Sequence, residues 1–151
     1  MNRKLSLWLL AICFLGSFQP AESQQPAKIP RIGFLIATSP SAIAARLEAF
    51  RGGLHELGYS EDKNIIIDYR AAEGKGDRLA ELAVQFVQLN VDIIFSTGPQ
   101  STRAAKKATS TIPILMGFDN DPVGNGFVSS LARPGGNITG LSTVAPEISG
   151  K

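Results

Sequence analysis

The side chains with chemistry to offer are a few hydroxyls and a pair of acids. Thr38-Ser39 and Ser96-Thr97-Gly98 each follow an apolar run and precede a helical pattern. A helix N-terminus carries unpaired N–H donors and a partial positive charge, which suits a carboxylate or a phosphate. Thr38, Ser39, Thr97 and Gly98 are therefore candidate ligand contacts, although Ser39 is equally placed to cap its own helix. Asp119 and Asp121 end a later apolar run and could face an ammonium group. Asp121-Pro122 also reads as an N-cap followed by Pro at the first helical position, the reading favoured for Asp121.

Much other chemistry is excluded. With one His and one Cys in 151 residues, the multi-ligand set of a zinc or iron site is missing, and no metal is expected. A His-based triad would rest on His55 alone, which sits beside Leu54, opposite the apolar stripe of its helix, and reads as solvent-facing. A net charge of +2 with no basic block beyond Lys106-Lys107 argues against nucleic acid as a partner. Gly74-Lys75-Gly76-Asp77 superficially resembles a dinucleotide loop, but Leu79 stands where the third glycine belongs, and no cofactor is expected. Asn137-Ile138-Thr139 matches a glycosylation sequon by pattern alone. Nothing assembles a nucleophile, a base and an orienting group, so no enzyme is expected.

At the amino end, Arg3-Lys4 precede an apolar run from Leu5 to Phe18 that carries no charge before Glu22. The run is shorter than the roughly 20 residues that span a bilayer. Ala21-Glu22-Ser23 offers small residues at both positions that a signal peptidase reads, so residues 1–23 are predicted to be a cleaved secretory signal. An uncleaved anchor is the alternative. A lipobox at Cys13 is disfavoured by the bulky Ile12 before it. Cleavage after Ser23 would leave no cysteine, and the chain would fold in an oxidising space without disulfides.

The elements that must position these residues alternate in type. Arg31–Ala37, Asn64–Arg70, Val91–Phe95, Ile112–Phe118 and Asn137–Leu141 are short apolar or β-branched runs that read as strands, the second near an edge. Between them, Ile43, Leu47, Phe50, Leu54 and Leu57 make one helical stripe, closed by Gly58. Leu79, Leu82, Phe86 and Leu89 make a second stripe, and residues 100–109 form a third helix burying Ala104, Ala105 and Ala108. Val123, Phe127, Val128 and Leu131 predict a last short helix. Strands alternating with helices specify parallel βαβ units, hence an α/β doubly wound parallel sheet, with strand order 2-1-3-4-5 expected. In that order a crevice opens outside the carboxyl ends of strands one and three, at Thr38-Ser39 and Ser96-Thr97-Gly98.

Several stretches together resemble the substrate-binding proteins of bacterial ABC transporters, the group related to the tryptophan-binding type. They are 46–59 (RLEAFRGGLHELGY), 64–74 (NIIIDYRAAEG), 108–114 (ATSTIPI), Asp121-Pro122-Val123-Gly124 and, most densely, 130–140 (SLARPGGNITG). The resemblance implies a periplasmic protein with two α/β lobes that close on a small molecule such as an amino acid and present it to a membrane permease. It places Thr38-Ser39, Thr97-Gly98-Pro99 and Asp119 on the cleft-facing loops of the first lobe. Such proteins run to about twice this length, in line with two domains of ordinary size. The resemblance therefore assigns residues 24–141 to an N-terminal lobe and 142–151 to the start of the crossover to a missing C-terminal lobe. A secreted flavodoxin-like enzyme using Asp119 or Asp121, or a sensory ligand-binding lobe, are the alternatives.

Overall fold

The computed structural model describes residues 28–143, so the expected signal peptide and the crossover from residue 144 onward lie outside the described residues. Five strands form one sheet: β1 (Arg31–Ile36), β2 (Ile66–Ala71), β3 (Ile93–Ser96), β4 (Ile114–Asp119) and β5 (Ile138–Ser142). Their order is β2-β1-β3-β4-β5 and every pairing is parallel, the doubly wound arrangement expected from the alternation of elements. A 3-10 turn (Pro40–Ile43) leads into α1 (Ala44–Glu56); α2 (Gly76–Gln88) and α3 (Pro99–Ala108) complete the helices.

One face of the sheet is fully dressed. Leu79, Leu82, Ala83 and Phe86 of α2 and Ala105 of α3 pack on Leu35, Ile94, Ile114, Met116 and Ile138. The Phe86 ring lies so close to β1 that a Cβ on Gly33 would meet it at 2.7–2.9 Å, so glycine there sets the helix-to-sheet spacing. Leu89, expected in this stripe, is 40% exposed because it is the C-cap rather than part of the helix body.

The opposite face is dressed only in part. Tyr69, Phe34 and Phe95 stand in register across β2, β1 and β3. Phe34 and Phe95 stack at 4.5 Å, and Phe50 of α1 meets Phe34 edge-on at 5.1 Å. Yet α1 has no residue that is fully buried, and Leu57 is 74% exposed. The helix ends one residue before it: Gly58 N donates to His55 O and Tyr59 N to Leu54 O, a Schellman closure with Gly58 at φ +84°. His55 is exposed, as expected.

The last predicted helix is absent. Residues 122–126 make a single turn, in which Asn125 N donates to Asp121 O and Phe127 N to Pro122 O, and an irregular segment follows. The apolar spacing was correct in kind, since Phe127 and Val128 are buried, but Val123 and Leu131 are 44% and 55% exposed. Two glycines and a Ser-Ser pair give this stretch too little helix propensity to continue.

Candidate functional site

The carboxyl ends of β1 and β3 meet where the winding of the sheet reverses, and Thr97 joins them. Its hydroxyl donates to Leu35 O at 3.2 Å and accepts from Ala37 N at 3.4 Å, while Thr97 N also donates to Leu35 O. These bonds fix the junction of the two strand ends where the sequence placed a crevice. Ser39 caps the 3-10 turn, its hydroxyl accepting from Ala42 N at 3.4 Å and sharing a 2.9 Å hydrogen bond with Ser41 Oγ. Thr38 is exposed, and its hydroxyl makes only a 3.5 Å contact to Ser39 O, which leaves it free for an incoming group.

Gly98 and Pro99 begin α3. Gly98 N donates to Ser101 Oγ at 3.1 Å, and Gly98 O accepts from both Ser101 Oγ and Thr102 Oγ1. Thr102 in turn shares a buried 2.7 Å hydrogen bond with Ser96 Oγ. These hydroxyls lock the turn between β3 and α3, so the donors of the α3 first turn have a set direction. Ser96, Ser101 and Thr102 are fully buried; sequence named Ser96 only as part of the loop, and Ser101 and Thr102 not at all. Their signal was there, since four hydroxyls within the seven residues 96–102, across a strand-to-helix junction, are turn chemistry.

Asp119 is fully buried. Its carboxylate accepts from Asp121 N at 2.7 Å and from Asn125 Nδ2, so it holds the turn after β4. Asp121 is exposed and caps that turn, accepting from Gly124 N at 2.7 Å, as its Asp-Pro sequence suggested. The adjacent ends of β1 and β3 therefore carry Thr38-Ser39 and Thr97-Gly98-Pro99 side by side, while Asp119, at the end of β4, is buried and engaged by its own loop. Asn137 of the sequon is engaged in structure, its amide donating to Ile112 O at 2.8 Å and to Thr109 O.

Beside Thr97 lies a hollow of about 320 Å³ that sequence reading missed. Phe34, Phe50, Phe95, Phe118 and Leu141 wall it, and Arg46 sits at its edge with its guanidinium 5.1 Å from the Phe118 ring centroid. These aromatics come from four different elements and share no sequence spacing.

Residues 31–148 match the model of the ABC transporter substrate binding protein family. The chain belongs to that family. Among its relatives, the tyrosine-binding protein of Clostridioides difficile (strain R20291) is 38% identical over 95 residues, covering 63% of this chain and 28% of its own length. A conserved domain protein of Vibrio cholerae of known crystal structure is 34% identical with a TM-score of 0.74, covering 79% of this chain and 40% of that one. An ABC domain of Streptococcus pneumonia, solved in complex with L-Trp, is 30% identical with a TM-score of 0.70, covering 75% and 38%. The chain thus spans less than half the length of the family members it matches.

Proposed function

We propose that this chain supplies the first-lobe half of a binding site for an amino acid, in an ABC-type uptake system. Residues 24–141 form the lobe, and the stretch from 142 begins the passage to a second one. The family match over residues 31–148 carries the reading. The relatives that bind tyrosine and L-Trp support an aromatic amino acid as the ligand. Thr38, Ser39, Thr97, Gly98 and Pro99 face that ligand, with its carboxylate toward the first-turn donors of α3, and Asp119 holds the adjoining loop in place. The role is binding without catalysis, and it needs no cofactor.

Ligands in two-lobed clefts are enclosed by closure of both halves, so one lobe alone holds its ligand weakly. The charged start and apolar run of residues 1–18 support export, cleavage after Ser23, a periplasmic location, and delivery of the ligand to a membrane permease. Nuclear magnetic resonance of residues 24–151 tests the site. Millimolar L-Tyr or L-Trp is expected to shift the amide signals of Thr38, Ser39, Thr97, Gly98 and Gln100. Shifts confined to another surface, or none at all, would sink this assignment.

A further inference from the structure

Of the asparagines in the sequence, only Asn125 is followed by glycine. Asn2, Asn64, Asn90, Asn120 and Asn137 precede Arg, Ile, Val, Asp and Ile. The order matters because an asparagine can cyclise onto the next backbone nitrogen, and a side chain on that next residue obstructs the approach. Glycine has no side chain to do so. In the fold, every atom that this cyclisation would use is engaged. Gly126 N donates to Val123 O at 2.8 Å. Asn125 Nδ2 donates to the Asp119 carboxylate at 3.1 and 3.4 Å, and Asn125 Oδ1 accepts from Arg103 Nη2 at 3.3 Å. Lys106 Nζ donates to Gly126 O. Asp119 is fully buried, while Asn125 is half-buried and Gly126 exposed.

We infer that Asn125-Gly126 is a deamidation site held shut by the fold: the unfolded chain converts there, and a converted chain cannot rebuild the loop after β4. In the reaction, Gly126 N gives up its proton to water and its electron pair attacks Asn125 Cγ. The new N–Cγ bond closes a five-membered imide ring, the Cγ–Nδ2 bond breaks, and Nδ2 takes a proton from solvent and leaves as ammonia. Water then opens the ring. Addition at Cγ breaks the new N–Cγ bond and leaves an aspartate; addition at the main-chain carbonyl breaks the original peptide bond and leaves an isoaspartate, with the chain rerouted through Cγ. The net change is one amide and one water to one carboxylic acid and one ammonia, with no oxidant or cofactor.

In the folded chain these moves are opposed. Proton loss from Gly126 N gives up its bond to Val123 O, and the negative charge that develops on the way to the ring builds up near the Asp119 carboxylate. Departure of Nδ2 takes a donor from a buried carboxylate. After conversion, an oxygen without a proton stands where Nδ2 donated, so two carboxylates face each other at hydrogen-bond range. Arg103 meets only the far oxygen and Lys106 is committed to Gly126 O, so neither cation separates the two acids. The inference rests on the loop and not on the ligand reading, so either can fail without the other.

Peptide mass mapping of the full chain tests it. The chain is held at one mildly alkaline pH and temperature, in buffer and in urea beyond its unfolding transition, and conversion at Asn125 is followed over days. Conversion is expected to be about tenfold or more faster in urea, because the native loop must open before it reacts. Equal rates in both, or faster conversion at another asparagine in urea, would overturn the inference. Chains converted in urea and returned to buffer are expected to melt about 4 °C or more below unconverted chains carried through the same steps. An unchanged melt would overturn the claim that conversion keeps the loop from closing. Two variants separate charge from the mere loss of a bond. Asn125→Asp is expected to melt below Asn125→Ala, and the double exchange Asp119→Asn with Asn125→Asp, which restores one donor and one acceptor, to recover most of the loss. Asn125→Asp no worse than Asn125→Ala, or no recovery in the exchange, would overturn the role of the paired acids.

Discussion

Asn125 Nδ2 donates to both carboxylate oxygens of Asp119, at 3.1 and 3.4 Å, and so fastens the loop after β4 to the end of that strand. The carboxylate is fully buried and also receives the N–H of Asp121. Replacing Asp119 by Ala strands these donors, and a loss of about 3 kcal/mol is expected. Asp119→Asn retains an acceptor and is expected to lose less. Urea unfolding of both variants measures this; equal stability of Asp119→Ala and the parent would show that the loop is not held this way.

Gly33 is where helix and sheet approach most closely, and Gly33→Ala drives a methyl group into the Phe86 ring. Overpacking of this kind costs about 1–3 kcal/mol. Combining it with Phe86→Leu should recover part of the loss, so the two effects will fall short of additive. Thermal melts of the two single variants and the double variant close the cycle.

Phe34 is 2% exposed and touches Phe50, Tyr69 and Phe95 with its ring. Phe34→Ala is expected to lose about 3–5 kcal/mol. A much smaller loss, read by the same unfolding experiment, would mean that the aromatic cluster collapses around the gap.

Acid should loosen the start of β1. The Lys28 ammonium, followed by the N–H of Arg31, holds the Asp92 carboxyl below its ordinary value of 3.8. A carboxyl depressed in the folded state stabilises the fold above its unfolded value and loses that contribution as pH falls through the folded value. Asp92 is partly exposed, so screening keeps the effect to roughly half a kcal/mol. The stability difference between the parent and Asp92→Asn should therefore be present at neutral pH and vanish in strong acid. A difference that grows toward low pH would reverse the assignment.

The alternation of elements was readable from sequence because each strand is a compact apolar run and the intervening helices repeat apolar residues every three or four positions; the order 2-1-3-4-5 was an expectation added to that alternation, and the pairing bears it out. The helix predicted at 123–131 failed for a physical reason: the same spacing serves a loop that tucks in Phe127 and Val128 while Gly124, Gly126 and the serines prevent continuation. Thr97 was legible as a residue of the rim, but its bond to Leu35 O depends on a strand sixty residues away. Asp119 was ambiguous for the same cause, since whether an acid at a strand end faces outward or inward depends on which neighbour, here Asn125, can reach it. The aromatic hollow had no signature at all, because β1, α1, β3 and β4 assemble it only after folding.

The central strand, β3, pairs with β1, and β2, the strand between them in sequence, is set outside at the edge. A chain delivered amino end first, by synthesis or by threading through a channel, can at most pair β1 with β2 until Ser96 has emerged. An isolated pair of strands has little stability of its own in water. Order therefore arrives late in delivery, when strands far apart in sequence can at last meet. A layout of this kind keeps the residues ahead of β3 pliable until Ser96 has emerged, and only then gives β1 its inner neighbour.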